Sequence, residues 1–221
     1  MDFENECDVF VKYHQKRRKG DRLERLANGL GHAETTFLRN VWWPLFHHFE
    51  HLHPEYEVRD YKNGSRYIDF AYILPSFRVA IEIDGVSTHW REITQSQFSE
   101  HMQRQNTLLL DGWHLVRFTY DTVKSQPRVC QQTIQQALGK WQFIAQELNA
   151  LSIYEREIVR TASRSVTPLT PKDVSLLLGV SPRYARLQLR QLVEKRWLIP
   201  ASGAQRYRSY RLHDSRSYIR W

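Results

Sequence analysis

Residues 78–84, RVAIEID, combine a strand-forming pattern with two carboxylates. Alternate side chains of a strand point to the same face, so Glu82 and Asp84 are predicted to lie side by side, opposite three branched aliphatic residues. Gly85 follows and ends the strand. A fold that contains this segment must pair two neighbouring acids with cations or use them as ligands, because buried carboxylates are costly when they are left alone.

The first 149 residues predict an α/β fold with a mixed sheet flanked by helices. Two strands, 56–61 and 65–74, are separated by Asn63-Gly64, which is a strong hairpin signal. Helical patterns cover about 95–111 and 127–149, with a short strand between them. The order helix, hairpin, strand, helix, strand, helix is typical of α/β proteins.

A third acid, Asp69, lies on the predicted strand that precedes RVAIEID. If the two strands are neighbours, Asp69 approaches Glu82 and Asp84, and three close carboxylates raise one another's pKa. A hard divalent cation such as Mg²⁺ relieves this repulsion and supports phosphodiester hydrolysis. The alternative is that these acids form structural salt bridges near a strand end.

The order of these motifs resembles the PD-(D/E)XK nuclease superfamily, in particular its very-short-patch-repair-like branch. The resemblance covers roughly residues 30–140. The matching residues, in chain order, are Glu34, Asp69-Phe70, Glu82-Ile83-Asp84-Gly85, His89, Arg104, Gly112-Trp113 and Arg117-Phe118.

The resemblance implies a restriction-endonuclease-like core with Asp69, Glu82 and Asp84 as metal ligands and catalytic acids. Glu34 would add a further acid from the first helix, directly or through water. Asp84 stands where many relatives have a lysine, so it would bind metal or act as a base. His89 would be a general base or an electrostatic helper, with a polar loop histidine as the alternative. Arg104 would face the DNA phosphate.

Two residue pairs with metal-binding potential lack complementary ligands. His47 and His51 have the i, i+4 spacing that binds zinc on a helix, but no third ligand is evident and an exposed helix end is favoured. Cys7 and Cys130 have no metal or redox spacing and are expected to be plain thiols in a reducing compartment.

The excess positive charge lies in the last third of the chain. From residue 150 onward there are 14 Lys+Arg and 5 Asp+Glu, a balance of +9, whereas the preceding residues have 18 basic and 19 acidic side chains. Twelve of the 14 cations are arginines, which suit phosphates and base edges. This asymmetry indicates a second, nucleic-acid-binding domain at 150–221, after a nuclease-like domain at 1–149.

Within this domain, the sequence of residues 167–200 predicts a helix, a turn and a second helix. Thr170 and Pro171 are a typical helix start, Gly179 is a typical end, and Ser181 begins the second helix. Two strand-like stretches then flank a short loop, as in a β-wing. The pattern resembles the winged helix-turn-helix superfamily, and protein contact is the alternative role. The residues expected to contact DNA are Arg183, Tyr184, Arg186, Gln188, Arg190, Arg206 and Arg208.

The sequence therefore predicts a Mg²⁺-dependent DNA endonuclease, with Mn²⁺ as a substitute ion, that acts on double-stranded DNA through a C-terminal winged helix. The alternatives are a non-catalytic DNA-binding regulator that retains a nuclease-like core, and RNA as substrate. A homodimer or a larger nucleoprotein complex is compatible with this function. We expect a cytoplasmic protein without membrane association, because no apolar run approaches the roughly 20 residues that span a bilayer.

Overall fold

The computed structural model describes residues 2–59, 64–85, 95–202 and 207–216, apart from the side chains of 96–98 and 101. The chain divides into two compact units, residues 1–142 and 143–221. The helices of the first unit are α1 (Phe3–Lys16), α2 (Asp21–Ala27), α3 (His32–Phe37), a π-helical turn (Leu38–Trp42), α4 (Trp43–Phe46), α5 (Gln95–Leu110), α6 (Tyr120–Ser125) and most of α7 (Pro127–Asn149).

Four strands form one mixed sheet in the order β1-β2-β3-β4. They are β1 (Leu52–Arg59), β2 (Ser65–Ile73), β3 (Arg78–Asp84) and β4 (His114–Thr119). β2 pairs antiparallel with both β1 and β3. β4 is parallel to β3 because α5 returns the chain to the same end of the sheet. The predicted α/β class with a mixed sheet is confirmed.

Helices cover both faces of this sheet. On one face, Val79, Ile81 and Ile83 of β3 pack with buried residues of α1, α3 and α7. On the other face, Ala80 packs with Leu108 of α5 and with several aromatic and aliphatic residues. The predicted alternation of β3 is therefore confirmed, and Glu82 and Asp84 lie on the face of α5.

The second unit contains α8 (Ile153–Arg164), α9 (Pro171–Leu178), α10 (Pro182–Glu194), β5 (Leu198–Ser202), β6 (Ser209–Leu212) and a short 3-10 turn (Asp214–Arg216). β5 and β6 pair antiparallel, and Leu169 forms an isolated antiparallel bridge with Tyr210. The end of α7 contributes Ile144 and Leu148 to the core of this unit. For this reason the division falls inside α7, before the boundary at 149/150 that the charge pattern predicts.

The helix boundaries in the second unit follow their predicted caps. The Thr170 hydroxyl accepts a hydrogen bond from the Asp173 amide, and the Asp173 carboxylate accepts one from the Thr170 amide. Gly179 ends α9 with a left-handed φ of 64°, a conformation that glycine adopts without a steric cost. Ser181 caps α10 in the same manner by accepting from the Tyr184 amide.

Candidate functional site

Glu82 and Asp84 of β3 line a small cavity of about 50 Å³ together with two arginines. Arg104 reaches the cavity from α5, and Arg117 reaches it from β4. The parallel register places Glu82 opposite Arg117. Each predicted catalytic acid of β3 therefore has a guanidinium beside it.

Glu82 is buried and pairs with Arg104. Arg104 Nη2 donates to Glu82 Oε1 at 2.8 Å and also donates to the Tyr67 carbonyl. Burial raises the pKa of Glu82 to about 7 against the lowering effect of Arg104, and the negative charge of Asp69 adds to the rise. Glu82 therefore changes its protonation near neutral pH. Arg104, predicted to face DNA phosphate, is instead engaged within the protein.

Asp84 forms a two-point contact with Arg117. Arg117 Nε donates to Asp84 Oδ2 at 3.0 Å, and Nη2 donates to Oδ1. Burial favours a lower pKa for Arg117, but the hydrogen bond and charge of Asp84 hold its pKa above the ordinary value. Asp84 thus lies in a two-point ion pair with Arg117, and both side chains are about one quarter exposed.

Asp69 lies where the β2–β3 ladder ends. Its Oδ2 accepts a hydrogen bond from the Ile83 amide at 2.6 Å, and regular pairing stops at Phe70 opposite Ile81. A regular strand would place Ile68 and Phe70 on the same face, but Ile68 packs on the face of α5 whereas Phe70 packs on the other face. Burial raises the pKa of Asp69 to about 6 against the lowering effect of the Ile83 amide, and Glu34 and Glu55 add to the rise.

The carboxylates of Glu34, Glu55 and Asp69 converge. One oxygen of each lies within 4.8 Å of the other two, and no other group of three or more acids, histidines or cysteines does so in the described ranges. The structure therefore groups the acids differently from the predicted ligands Asp69, Glu82 and Asp84. The expectation that Glu34 adds a further acid from a helix agrees with this geometry, and Glu34 belongs to α3.

Glu55 is the site residue that the sequence did not indicate. Register pairs Pro54 with Phe70 and Tyr56 with Ile68, so Glu55 lies across from Asp69 on the neighbouring strand. Glu55 has a φ of 41°, a conformation that is costly for a residue with a side chain and that interrupts the regular strand. One of its oxygens also accepts from Arg25 Nε at 2.7 Å.

The donor set of Glu34, Glu55 and Asp69 fits a hard divalent ion. All three offer carboxylate oxygens, which Mg²⁺ and Mn²⁺ prefer, and all three are only partly exposed. A cation would relieve their mutual repulsion and would return the pKa of Asp69 toward its ordinary value.

Two of the predicted site residues, His89 and Arg206, lie outside the described residues. The helix predicted through His47 ends at Phe46, and His47 has a left-handed φ of 55°, so the i, i+4 helical geometry for zinc is not formed with His51. Both cysteines are free thiols.

The basic residues predicted on α10 share its exposed side. Arg183, Arg186 and Arg190 are exposed, and no ion pair involves them within the described part of the second unit. Tyr184 is 37% exposed beside them. Arg208 is also exposed, before β6. The positive charges of Arg190 and Arg186 lie close enough to Tyr210 to act on its pKa, although burial raises that pKa overall.

The structure removes Gln188 from the residues predicted to contact DNA. It belongs to the buried side of α10 with Ala185, Leu189 and Leu192, and only 6% of its surface is exposed. Its Nε2 donates to Gln191 Oε1 at 3.2 Å, and its Oε1 has no hydrogen-bond partner. A side chain in this position does not reach a base edge.

No protein-family model matches the chain, and no curated protein or solved structure matches it significantly. Across the described helices, none combines the length and apolar character needed to cross a bilayer.

Proposed function

We propose that the protein is a metal-dependent DNA endonuclease that hydrolyses phosphodiester bonds. The observation that carries this proposal is the convergence of three carboxylates from three separate elements, Glu34 of α3, Glu55 of β1 and Asp69 of β2. Arg25 pairs with Glu55 and the Ile83 amide donates to Asp69, and a divalent cation is the further partner that these oxygen donors suit.

The sheet topology supports the restriction-endonuclease-like core that the motifs imply. An antiparallel meander of β1, β2 and β3 is followed by a helical crossover to the parallel strand β4. The acids on β2, β3 and α3 are those that the motifs imply, and Glu55 of β1 is an addition that the structure reveals. This support concerns the arrangement of elements, and the chemistry depends on the residues themselves.

Glu34, Glu55 and Asp69 would hold Mg²⁺ or Mn²⁺. When bound, the ion would polarise the scissile phosphate and lower the pKa of a coordinated water. Glu82 is suited to hold or release a proton, because burial brings its pKa to about 7, and Asp69 of the acid group is close enough to add to this rise. Arg104 orients Glu82, and Arg117 places a fixed positive charge beside Asp84.

The second unit supports a winged helix-turn-helix assignment and DNA binding. Its order is α8, the Leu169 bridge, α9, α10, β5 and β6, which is the order of a winged-helix domain. In a helix-turn-helix the second helix enters the major groove, and α10 presents Arg183, Arg186 and Arg190 on its exposed side. These guanidinium groups suit phosphates and base edges.

A plasmid cleavage assay tests the proposal. The purified chain is incubated with supercoiled plasmid and Mg²⁺ or Mn²⁺, beside Asp69→Ala and Glu82→Ala. We expect nicking or linearisation by the wild type and a loss of at least about 100-fold in each variant, with DNA binding retained. Asp111→Asn is the matched control, because Asp111 is an exposed carboxylate after α5 that lies outside the acid group.

A non-catalytic DNA-binding regulator is the second candidate. The pairing of Glu82 with Arg104 and of Asp84 with Arg117 favours it, since both acids of β3 then have a structural role. Equal inertness of wild type and variants with intact DNA binding would establish the regulator and reject the enzyme. The same assay with an RNA duplex of matched length tests RNA as substrate.

A further inference from the structure

The basic segment 16–19 (Lys16, Arg17, Arg18 and Lys19) belongs neither to the acid group nor to the second unit. Helix α1 ends at Lys16, and the following residues turn toward α2. Arg17, Arg18 and Arg22 line a cavity of about 290 Å³ in the first unit, together with residues of β1. Three guanidinium groups around one cavity of this size provide donors for an oxyanion.

Arg18 is an incompletely compensated charge in this cavity. Its Nη2 donates to the Pro54 carbonyl, but its Nη1 is buried without a hydrogen-bond partner, and no carboxylate pairs with it among the described residues. Burial and the neighbouring Arg22 lower the pKa of Arg18, while Glu55 raises it. A half-buried cation of this kind is stabilised strongly by an anion.

Two histidines line the same cavity. His14 and His53 lie with their ring centroids 5.4 Å apart, and burial followed by the charge of Arg18 lowers the pKa of His14 to about 4. An anion beside Arg18 would offset the part of this lowering that is due to Arg18. The imidazole of His14 therefore reports on occupancy of the cavity.

The acids that line the cavity do not neutralise all of its cations. Glu57 lies 3.3 Å from Arg22, and Glu55 pairs with Arg25. Arg17 contacts the ring of Tyr13, at 4.1 Å from its centroid, and has no carboxylate partner in the described chain. The remaining titratable lining residue is Tyr56. Arg17 and Arg18 thus leave an unpaired positive charge facing the cavity.

We propose that this cavity binds a phosphate group of a nucleic acid, with Arg17 and Arg18 as its principal ligands. Glu55 lines the cavity and also belongs to the acid group with Glu34 and Asp69. A phosphate held here is therefore adjacent to the acids proposed to act on DNA. The assignment of the phosphate to a nucleic acid rests on the proposed function, whereas the oxyanion site rests on the cavity itself.

Inorganic phosphate is the first probe. It is titrated into the full chain without divalent metal while the imidazole NMR signals of His14 are followed. We expect saturable shifts of these signals and a rise in the pKa of His14. Arg17→Gln is expected to weaken phosphate binding about tenfold, because the variant cannot donate a charge-assisted hydrogen bond. Lys19→Gln removes the same charge from the same segment but does not line the cavity, and is expected to leave binding nearly unchanged.

Non-saturable shifts, or equal weakening by Arg17→Gln and Lys19→Gln, would overturn the site. Arg18→Lys provides a second variant that retains the charge but replaces the guanidinium, and it is also expected to weaken binding. A folded-state check by circular dichroism accompanies each variant.

Short duplexes then identify the source of the phosphate. If only a 5′-phosphorylated duplex displaces inorganic phosphate from the cavity, the cavity binds a terminal phosphate. If the unphosphorylated duplex displaces it equally well, the cavity binds a backbone phosphate. Competition by neither duplex would overturn the nucleic-acid assignment. Asp69→Asn separates the two proposals, because it is expected to abolish cleavage while phosphate still shifts the NMR signals of His14.

Discussion

Arg117 of β4 holds Asp84 of β3 through two hydrogen bonds, one of them 3.0 Å from Nε to Oδ2. The guanidinium of Arg117 therefore places a positive charge directly beside Asp84. If the protein is the proposed nuclease, this charge lies next to the position where many PD-(D/E)XK enzymes carry a lysine.

This pairing predicts a measurable coupling between Arg117 and Asp84. We expect Arg117→Gln to lower the free energy of unfolding by about 2 kcal/mol, because it removes a bidentate, partly buried partner of Asp84. Arg117→Lys should recover only part of the lost free energy of unfolding, since lysine keeps the charge but not the two-point geometry. Urea denaturation of Arg117→Gln, Asp84→Asn and the double variant gives the coupling energy, and a value near zero would contradict the pairing.

Asp69→Asn is predicted to stabilise the metal-free protein above pH 6. The pKa of Asp69 is raised from 3.8 to about 6 in the folded state, so the wild type loses stability as pH rises from about 4 to about 6. Asparagine avoids this loss of stability. The pKa shift of Asp69 corresponds to a difference of at most about 3 kcal/mol in the free energy of unfolding. Below pH 4 the difference should disappear, because aspartic acid is then protonated in both states.

Urea denaturation across pH 3.5–8 measures this difference. Asp111→Asn is the control, since Asp111 is exposed after α5. A difference between wild type and Asp69→Asn that does not change with pH would show that burial of the Asp69 charge is not its cause. Saturating Mg²⁺ should remove the advantage of Asp69→Asn, because the ion binds only the native acid group.

The exposed arginines of α10 predict a salt-dependent contribution to DNA affinity. We expect Arg186→Gln combined with Arg190→Gln to reduce the slope of log affinity against log salt by about 2, one for each phosphate that is no longer neutralised. Fluorescence anisotropy over a range of salt concentrations measures the slope. Arg164→Gln, an exposed change on α8, should leave it nearly unaltered. An unchanged slope in the double variant would instead favour protein contact by this surface.

Gln188→Met is predicted to preserve DNA affinity and to increase stability by up to about 1 kcal/mol. The Gln188 Oε1 is buried without a partner, so an apolar side chain of similar length avoids its desolvation cost. Thermal denaturation and DNA-binding titration measure the two effects. A tenfold loss of DNA affinity with unchanged stability would restore Gln188 to the DNA-contacting set.

The burial of Gln188 could have been predicted from the sequence. Ala185, Gln188, Leu189 and Leu192 follow the i, i+3, i+4, i+7 spacing of one helix face, and that face is buried. Glutamine is a suitable adenine reader by its chemistry, but the periodicity is the stronger signal. The capping residues of α9 and α10, in contrast, are predicted correctly because their signals are local and involve neighbours within three residues.

Glu55 could not be predicted in the same way. A two-residue Asn63-Gly64 turn would place Asp69 opposite Val58, whereas the observed register, with Arg59 opposite Ser65, places Asp69 across from Glu55. A hairpin signal indicates that two strands pair, but a change in loop length moves every cross-strand partner. The left-handed φ of Glu55 is a further departure that strand propensity does not indicate.

The sequence by itself determined the order of the main strands and helices, the alternation of β3 that places Glu82 and Asp84 on one face, and the concentration of positive charge in the last third of the chain. These features depend on local periodicity and composition. Only the tertiary structure decided which charges meet: Glu82 with Arg104, Asp84 with Arg117, and Asp69 with Glu34 and Glu55. Each of these partners comes from a distant part of the chain, and strand register and helix packing bring it into contact.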